Sequence, residues 1–178
     1  MTHRRARSPT SVRLTGVHIV LITDPRLAEP ADVAARLRDL ATVTEHRLPE
    51  GEGSVEEQLV AALRDLEPSL LAEKPTAVLL AGNGPASAGA ALAAAKLELP
   101  IARMGAGAEL AREEHPGAPP SRAASYGRVV DRLASLLLCA SVPQRDALAA
   151  AGLGERVVLV GAEPESAATA IGAWLARL

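Results

Sequence analysis

Short, β-branched apolar runs alternate with longer alanine- and leucine-rich segments along nearly the whole chain, and this alternation limits the fold more than any other feature. Val17-His-Ile-Val-Leu-Ile-Thr23 is a continuous apolar run, as expected of a strand buried on both faces of a parallel sheet. Proline suits a first helical turn, so Pro30 opens a helix that runs to Leu40. Ala41–Thr44 reads as a second, weaker strand and Pro49–Gly53 as a loop. Ser54 and Glu57 form a capping box at the start of a helix carrying Leu59, Leu63 and Leu66 inward. The rhythm continues with strands at Thr76–Ala81, Pro100–Met104, Leu136–Ala140 and Val157–Val160. Between them come an alanine-rich helix to Leu97, a long irregular segment from Gly105 to Pro120, a helix from Ser121 to Leu133 and one capped by Ser141 and Gln144. An amphipathic helix from Ser166 to Leu178 closes the series. Strand–helix alternation requires crossover connections. The fold class is therefore α/β, a three-layer, Rossmann-like, doubly wound parallel sheet of about six strands.

The chain has 178 residues, enough for one domain that buries roughly 70% of its unfolded surface. Residues 1–14 read as a solvated basic tail carrying His3-Arg4-Arg5-Ala6-Arg7, and residues 15–178 as a single domain. A formal net charge of -2, no Phe, and one Trp and one Tyr leave neither a cationic track nor stacking platforms, which argues against nucleic acid as a partner. Apolar runs are too short to span a membrane. The lone Cys139 fits a reducing compartment, so the expected location is the cytoplasm.

In an open parallel sheet, ligands bind beyond the carboxyl ends of the strands. That rule selects Asp24, the turn Gly82-Asn83-Gly84 leading to Ser87, and the segment opening with Arg103, Gly105 and Gly107. The Gly82–Ser87 turn meets a helix N-terminus, which suits a phosphate or carboxylate, although a tight turn alone also explains its glycines. No Gly-Lys-Ser/Thr follows it, so it is not a nucleotide P-loop. Glu113, Glu114 and His115 are the only acid–base cluster in a plausible loop; three consecutive residues rarely converge on one point, and solvated surface is their plain reading. The histidines and Cys139 lack metal-ligand spacing, so no metal or other cofactor is expected.

From Pro75 onward the order of blocks resembles the N-terminal domain of the non-hydrolysing UDP-N-acetylglucosamine 2-epimerases. Val78-Leu-Leu-Ala-Gly-Asn-Gly-Pro-Ala-Ser87 resembles that family's V-x-V-x-G-D-T-x-(S/T) turn, and Leu99-Pro-Ile-Ala-Arg-Met-Gly-Ala-Gly107 its I-P-V-x-H-V-E-A-G strand and loop. Val130-Asp-Arg-Leu-Ala134 through Ser141 is similar to I-D-R-L-(A/S)-D-x-x-F-A-P-T, and Gly152 to Gly161 to G-x-x-x-x-R-I-x-x-(T/V)-G-N. The resemblance implies half of a GT-B-like two-domain fold and a nucleotide sugar as ligand. It also implies dimerisation through helices of this domain, for which the alanine-rich helix offers a smooth face. The family eliminates and re-adds UDP, which needs carboxylates near the sugar and a cationic clamp. Here the turn aspartate is Asn83, the glutamate of E-A-G is Gly105 and the preceding histidine is Arg103. The implied function is a non-catalytic binding or auxiliary subunit in nucleotide-sugar metabolism, working as a homodimer or with a separate partner protein. The alternative is a 2-epimerase-type isomerase, active only when another chain completes it.

Overall fold

A computed structural model describes residues 13–24, 30–48, 53–113 and 122–178. Its strands are β1 (His18–Thr23), β2 (Thr42–Arg47), β3 (Ala77–Ala81), β4 (Ile101–Met104), β5 (Leu136–Cys139) and β6 (Val157–Leu159). All five neighbouring pairs are parallel, in the spatial order β2-β1-β3-β4-β5-β6. The helices are α1 (Pro30–Leu40), α2 (Val55–Glu73), α3 (Pro85–Lys96), α4 (Ala108–Glu113), α5 (Arg122–Leu133), α6 (Val142–Ala150) and α7 (Pro164–Leu175). The expected class is the one found.

Period-two alternation divides the apolar strands between two cores. Val20 and Ile22 of β1, with Val78 and Leu80 of β3, face Leu66 and Leu70 of α2, the alanines of α3, Val130 of α5 and Leu148 of α6. Ile19, Leu21, Leu79 and Leu138 point the other way, toward Val33 and Leu37 of α1 and Ile171, Trp174 and Leu175 of α7. A fully buried aliphatic side chain contributes about 1.5–3 kcal/mol, and both faces of the sheet collect many. Helices therefore cover both faces, giving three layers.

Local chemistry sets the helix starts. The Ser54 hydroxyl accepts from the Glu57 amide at 3.2 Å, while the Glu57 carboxylate accepts from the Ser54 amide at 2.6 Å, so the expected capping box forms. At α6 the Gln144 side-chain oxygen accepts from the amides of Ala140 and Ser141, at 2.7 and 3.2 Å.

Three expectations need correction. The segment after β4 is not irregular throughout: α4 occupies Ala108–Glu113. Strand β2 begins one residue later than expected and continues to Arg47, because an edge strand needs only one covered side and tolerates Glu45 and Arg47. The alanine-rich helix α3 does not offer a free smooth face. It is packed against α2 and α5 of its own chain, and Ala86, Ser87, Ala88, Gly89, Ala90, Ala91, Ala93 and Ala94 are buried. Small side chains permit this close approach on both flanks.

Residues 1–12 of the expected tail lie outside the described residues, as do Pro49–Glu52 of the expected loop. Leu14, at the tail's end, donates its amide to the Leu40 carbonyl at 2.8 Å and packs on the α1–α7 side. Among the described residues no helix is long and apolar enough to cross a membrane.

Candidate functional site

The winding of the sheet locates the site. From β1 the chain moves outward to β2 through α1 on one face, then returns past β1 to β3 through α2 on the other. The connections leaving β1 and β3 thus diverge, and it is at such a switch point, beyond the carboxyl ends of the strands, that open parallel sheets place their ligand crevice. Asp24 follows β1 and is 5% exposed, with its amide donating to the Ala81 carbonyl at 2.9 Å. Gly82-Asn83-Gly84 follows β3 and leads directly into α3.

Gly84 is the N-cap of α3, which receives no side-chain cap bond and has Pro85 at its start. The early amides of the helix and the positive end of its dipole therefore lie at the carboxyl end of β3. Ser87, fully buried one turn in, makes no hydrogen bond through its hydroxyl among the described residues. That hydroxyl lies against Gly82, where a Cβ would overlap it and would also stand 3.2 Å from the Asp24 Cβ. Asp24, Gly82 and Ser87 thus form one contact group, with glycine needed for space.

From β4 the chain turns through Gly105 and Gly107, both left-handed, at φ 69° and 74°. At Gly107 a side chain would also come within 2.7 Å of the Gln144 carbonyl, so α6 limits this position to glycine as well. The turn launches α4 and brings Glu109 to Asn83: the Asn83 Nδ2 donates to Glu109 Oε1 at 2.8 Å. Arg112 donates to the other oxygen, Oε2, at 2.6 Å.

Beneath this pair lies Arg103, 2% exposed. Its guanidinium donates to the Gly127 carbonyl and stands 3.1 Å from the Asp131 carboxylate on α5. Burial pulls the Arg103 pKa down, against the attraction of Asp131 and then Glu109. Burial likewise pushes the Asp131 carboxyl up, opposed by Arg103 and by the Gly107 amide. The Arg103 Nε and Asp131 Oδ1 complete no hydrogen bond among the described residues. The charge of Arg103 is directed inward to α5, so it ties β4 to the helix layer and does not present a clamp to the crevice.

Of the residues selected from sequence, Asp24, Gly82, Asn83, Gly84 and Ser87 come together at the β1–β3 opening, and Gly105 and Gly107 shape the adjoining turn. Glu113 ends α4, and its side chain, together with Glu114 and His115, lies outside what the structure describes. Sequence reasoning missed Glu109 and Asp131. The helical pattern Ala108-Glu-Leu-Ala-Arg112 and the Val130-Asp-Arg-Leu-Ala134 block carried the available signals. A cleft of about 170 Å³ opens on the α1–α7 side of the strand ends, between Met104, Leu138, Val160 and the first residues of α7. Among the described residues, no group of His, Cys, Asp and Glu could hold a metal ion.

A doubly wound α/β domain with its crevice at the carboxyl ends is a broad class, and comparison with known structures narrows it. The chain is similar to S. aureus MnaA in a co-structure with UDP: TM-score 0.70 and 20% identity, over 82% of this chain and 44% of that one. It is also similar to the UDP-N-acetylglucosamine 2-epimerase from Rickettsia bellii (TM-score 0.70, 18% identity, 89% of this chain and 48% of that one). The UDP-GlcNAc 2-epimerase from Methanocaldococcus jannaschii gives a TM-score of 0.64 at 22% identity, over 90% and 49% of the two chains. The fold is thus the one shared by part of the UDP-GlcNAc 2-epimerases, and the chain spans less than half the length of these relatives. No protein-family model matches the chain, and neither does any curated protein.

Proposed function

We propose that the chain is a degenerate counterpart of the N-terminal half of a nucleotide-sugar 2-epimerase, binding a nucleotide sugar or supporting a partner without catalysing epimerisation alone. One observation carries this reading. At the two turns that frame the crevice, where the resemblance calls for carboxylates, the chain has the carboxamide of Asn83 and the bare backbone of Gly105. A carboxamide cannot take up the proton from a sugar carbon, and a positioned base contributes typically ~10²–10⁴-fold. The solved relatives supply the ligand class: one is a complex with UDP and another is a UDP-N-acetylglucosamine 2-epimerase. The binding role is kept by the elements that need no base, namely the glycine turn, the early amides of α3 and a crevice at the switch point.

The alternative, an isomerase completed by another chain, draws on Glu109, which gives the crevice a carboxylate beside Asn83. Purified protein incubated with UDP-N-acetylglucosamine separates the two. The expected result is saturable binding of UDP-N-acetylglucosamine with no exchange of the C2 proton for solvent deuterium. Proton exchange by the chain alone would overturn the non-catalytic reading, and exchange only with a co-purified protein would favour the completed enzyme.

A further inference from the structure

The basic run His3-Arg4-Arg5-Ala6-Arg7 has no part in either function weighed above, and the fold fixes where the chain that carries it starts out. Leu14 donates its amide to the carbonyl of Leu40, the last residue of α1, and packs on the α1–α7 core. A groove of about 620 Å³ lies on the outside of that same layer, between α1 and the start of α7. Asp32, Ala35, Arg36 and Asp39 form its α1 wall, and their spacing makes them one stripe down the helix. Glu163 and Glu165 face them from α7. Arg36 is the only cation lining the groove and already stands 3.4 Å from Glu165. Asp32, Asp39 and Glu163 have no ion-pair partner among the described residues. The helix dipole accounts for acids in first turns, at Asp32 and Glu165, but Asp39 stands in the last turn of α1, where the dipole opposes negative charge.

We infer that the α1–α7 groove is the docking surface for this chain's own N-terminal arm, with Arg4, Arg5 and Arg7 answering Asp32, Asp39 and Glu163. The inference is independent of the nucleotide-sugar reading. Reach permits it. Helix α1 has 11 residues and is about 16 Å long. An extended chain starting at Leu14 attains roughly 23–25 Å at Arg7 and roughly 33–36 Å at Arg4, so the arginines can be laid along the whole groove. Charge selects the occupant. The groove carries four carboxylates against one guanidinium, whereas residues 1–12 carry three arginines and a histidine with no acid. The small Ala35 leaves room between the two aspartates for an arginine stem to lie on the helix. Exposed ion pairs are individually weak, so a free basic peptide would be held poorly. Attachment at Leu14 makes the contact intramolecular, with an effective concentration of about millimolar, and several weak pairs then suffice. Asp32 and Glu163 also line the cleft of about 170 Å³ at the strand ends, so the docked arm stands at the rim of that cleft.

The test uses the full chain and NMR. A nitroxide on Ser8→Cys labels the arm, since the native Cys139 is buried. At low salt it should broaden the amide resonances of Asp32 and Glu163, at the end of α1 remote from Leu14, and about 1 M salt should remove that broadening by screening the charges. Asp32→Asn combined with Asp39→Asn should reduce the broadening at Glu163 by about twofold or more. In the unlabelled protein, replacing Arg4, Arg5 and Arg7 together by Gln should shift the Asp32, Asp39 and Glu163 amides. Raising the salt on the unmodified chain should move them toward the same positions, a readout that needs no variant to fold. Broadening confined to the surroundings of Leu40, or unchanged by salt and by the aspartate substitutions, overturns the inference. So do groove amides that ignore the loss of the arginines. A mixture of spin-labelled chains with isotope-labelled, nitroxide-free chains separates the remaining case: broadening of the groove amides there puts the arm on a second copy and overturns docking within one chain.

Discussion

A guanidinium with 2% exposure has to be matched inside the protein, and Arg103 is matched by Asp131 and the Gly127 carbonyl. Such pairs stabilise less than their geometry suggests, since desolvation offsets most of the attraction, but breaking one strands a buried charge. Asp131→Leu alone should therefore cost about 3–5 kcal/mol in urea unfolding. Combining it with Arg103→Met should recover most of that loss. A double variant no more stable than the single one would show that the pair is not what holds β4 to α5. The sequence made Arg103 visible as a residue at a strand's carboxyl end, which is why it was selected for ligand contact. It could not show the direction of the side chain, because Asp131 reaches it only after β4 and α5 have packed. Glu109 was hidden for a related reason: it is ordinary in its own segment, and the turn through the left-handed Gly105 and Gly107 brings it to Asn83.

Among elements, α2 and α3 approach closely at Gly89. A Cβ on Gly89 would overlap the Leu59 backbone carbonyl and stand 3.1 Å from the Ala62 Cβ. Replacing glycine by alanine in a helix normally gains up to ~1 kcal/mol in propensity. Here backbone cannot yield as a flexible side chain would, and overpacking costs typically ~1–3 kcal/mol. The steric cost should win, so Gly89→Ala should lower the melting temperature; a rise would mean the two helices part easily. The central strands were legible because parallel strands buried on both sides are written as unbroken apolar runs, as in β1 and β3. The end of β2 was less so, since an edge strand mixes Glu45, His46 and Arg47 with its apolar residues. Helix α4 was lost because six residues between glycines and a proline-rich stretch show too few turns for periodicity to register.

At the scale of the whole molecule, the chain carries the fold of less than half of each solved relative reported above. Its crevice is built by strand ends and loops that a second body can cover. If the proposed auxiliary role holds, association follows: sedimentation velocity at micromolar concentration should give a mass above that of one 18.3 kDa chain, or pull-down should recover a stoichiometric partner. A stable interface would bury at least ~1,000 Å², with two-fold symmetry the commonest arrangement for a homodimer. A clean monomer with no recovered partner would overturn this. Since α3 is enclosed by α2 and α5, the contact surface must lie elsewhere than on the alanine face.

Helix α7 packs in the α1 layer, with Glu165 beside Arg36 and Gly172 against Leu40, although the two helices lie near opposite ends of the sequence. It also carries the only tryptophan, Trp174, which is 6% exposed. That placement makes the indole a clock for folding. Its burial requires the closure of a loop spanning most of the chain, among the most entropically expensive contacts in the molecule. Fluorescence in a stopped-flow experiment therefore reports the moment at which α7 returns to α1.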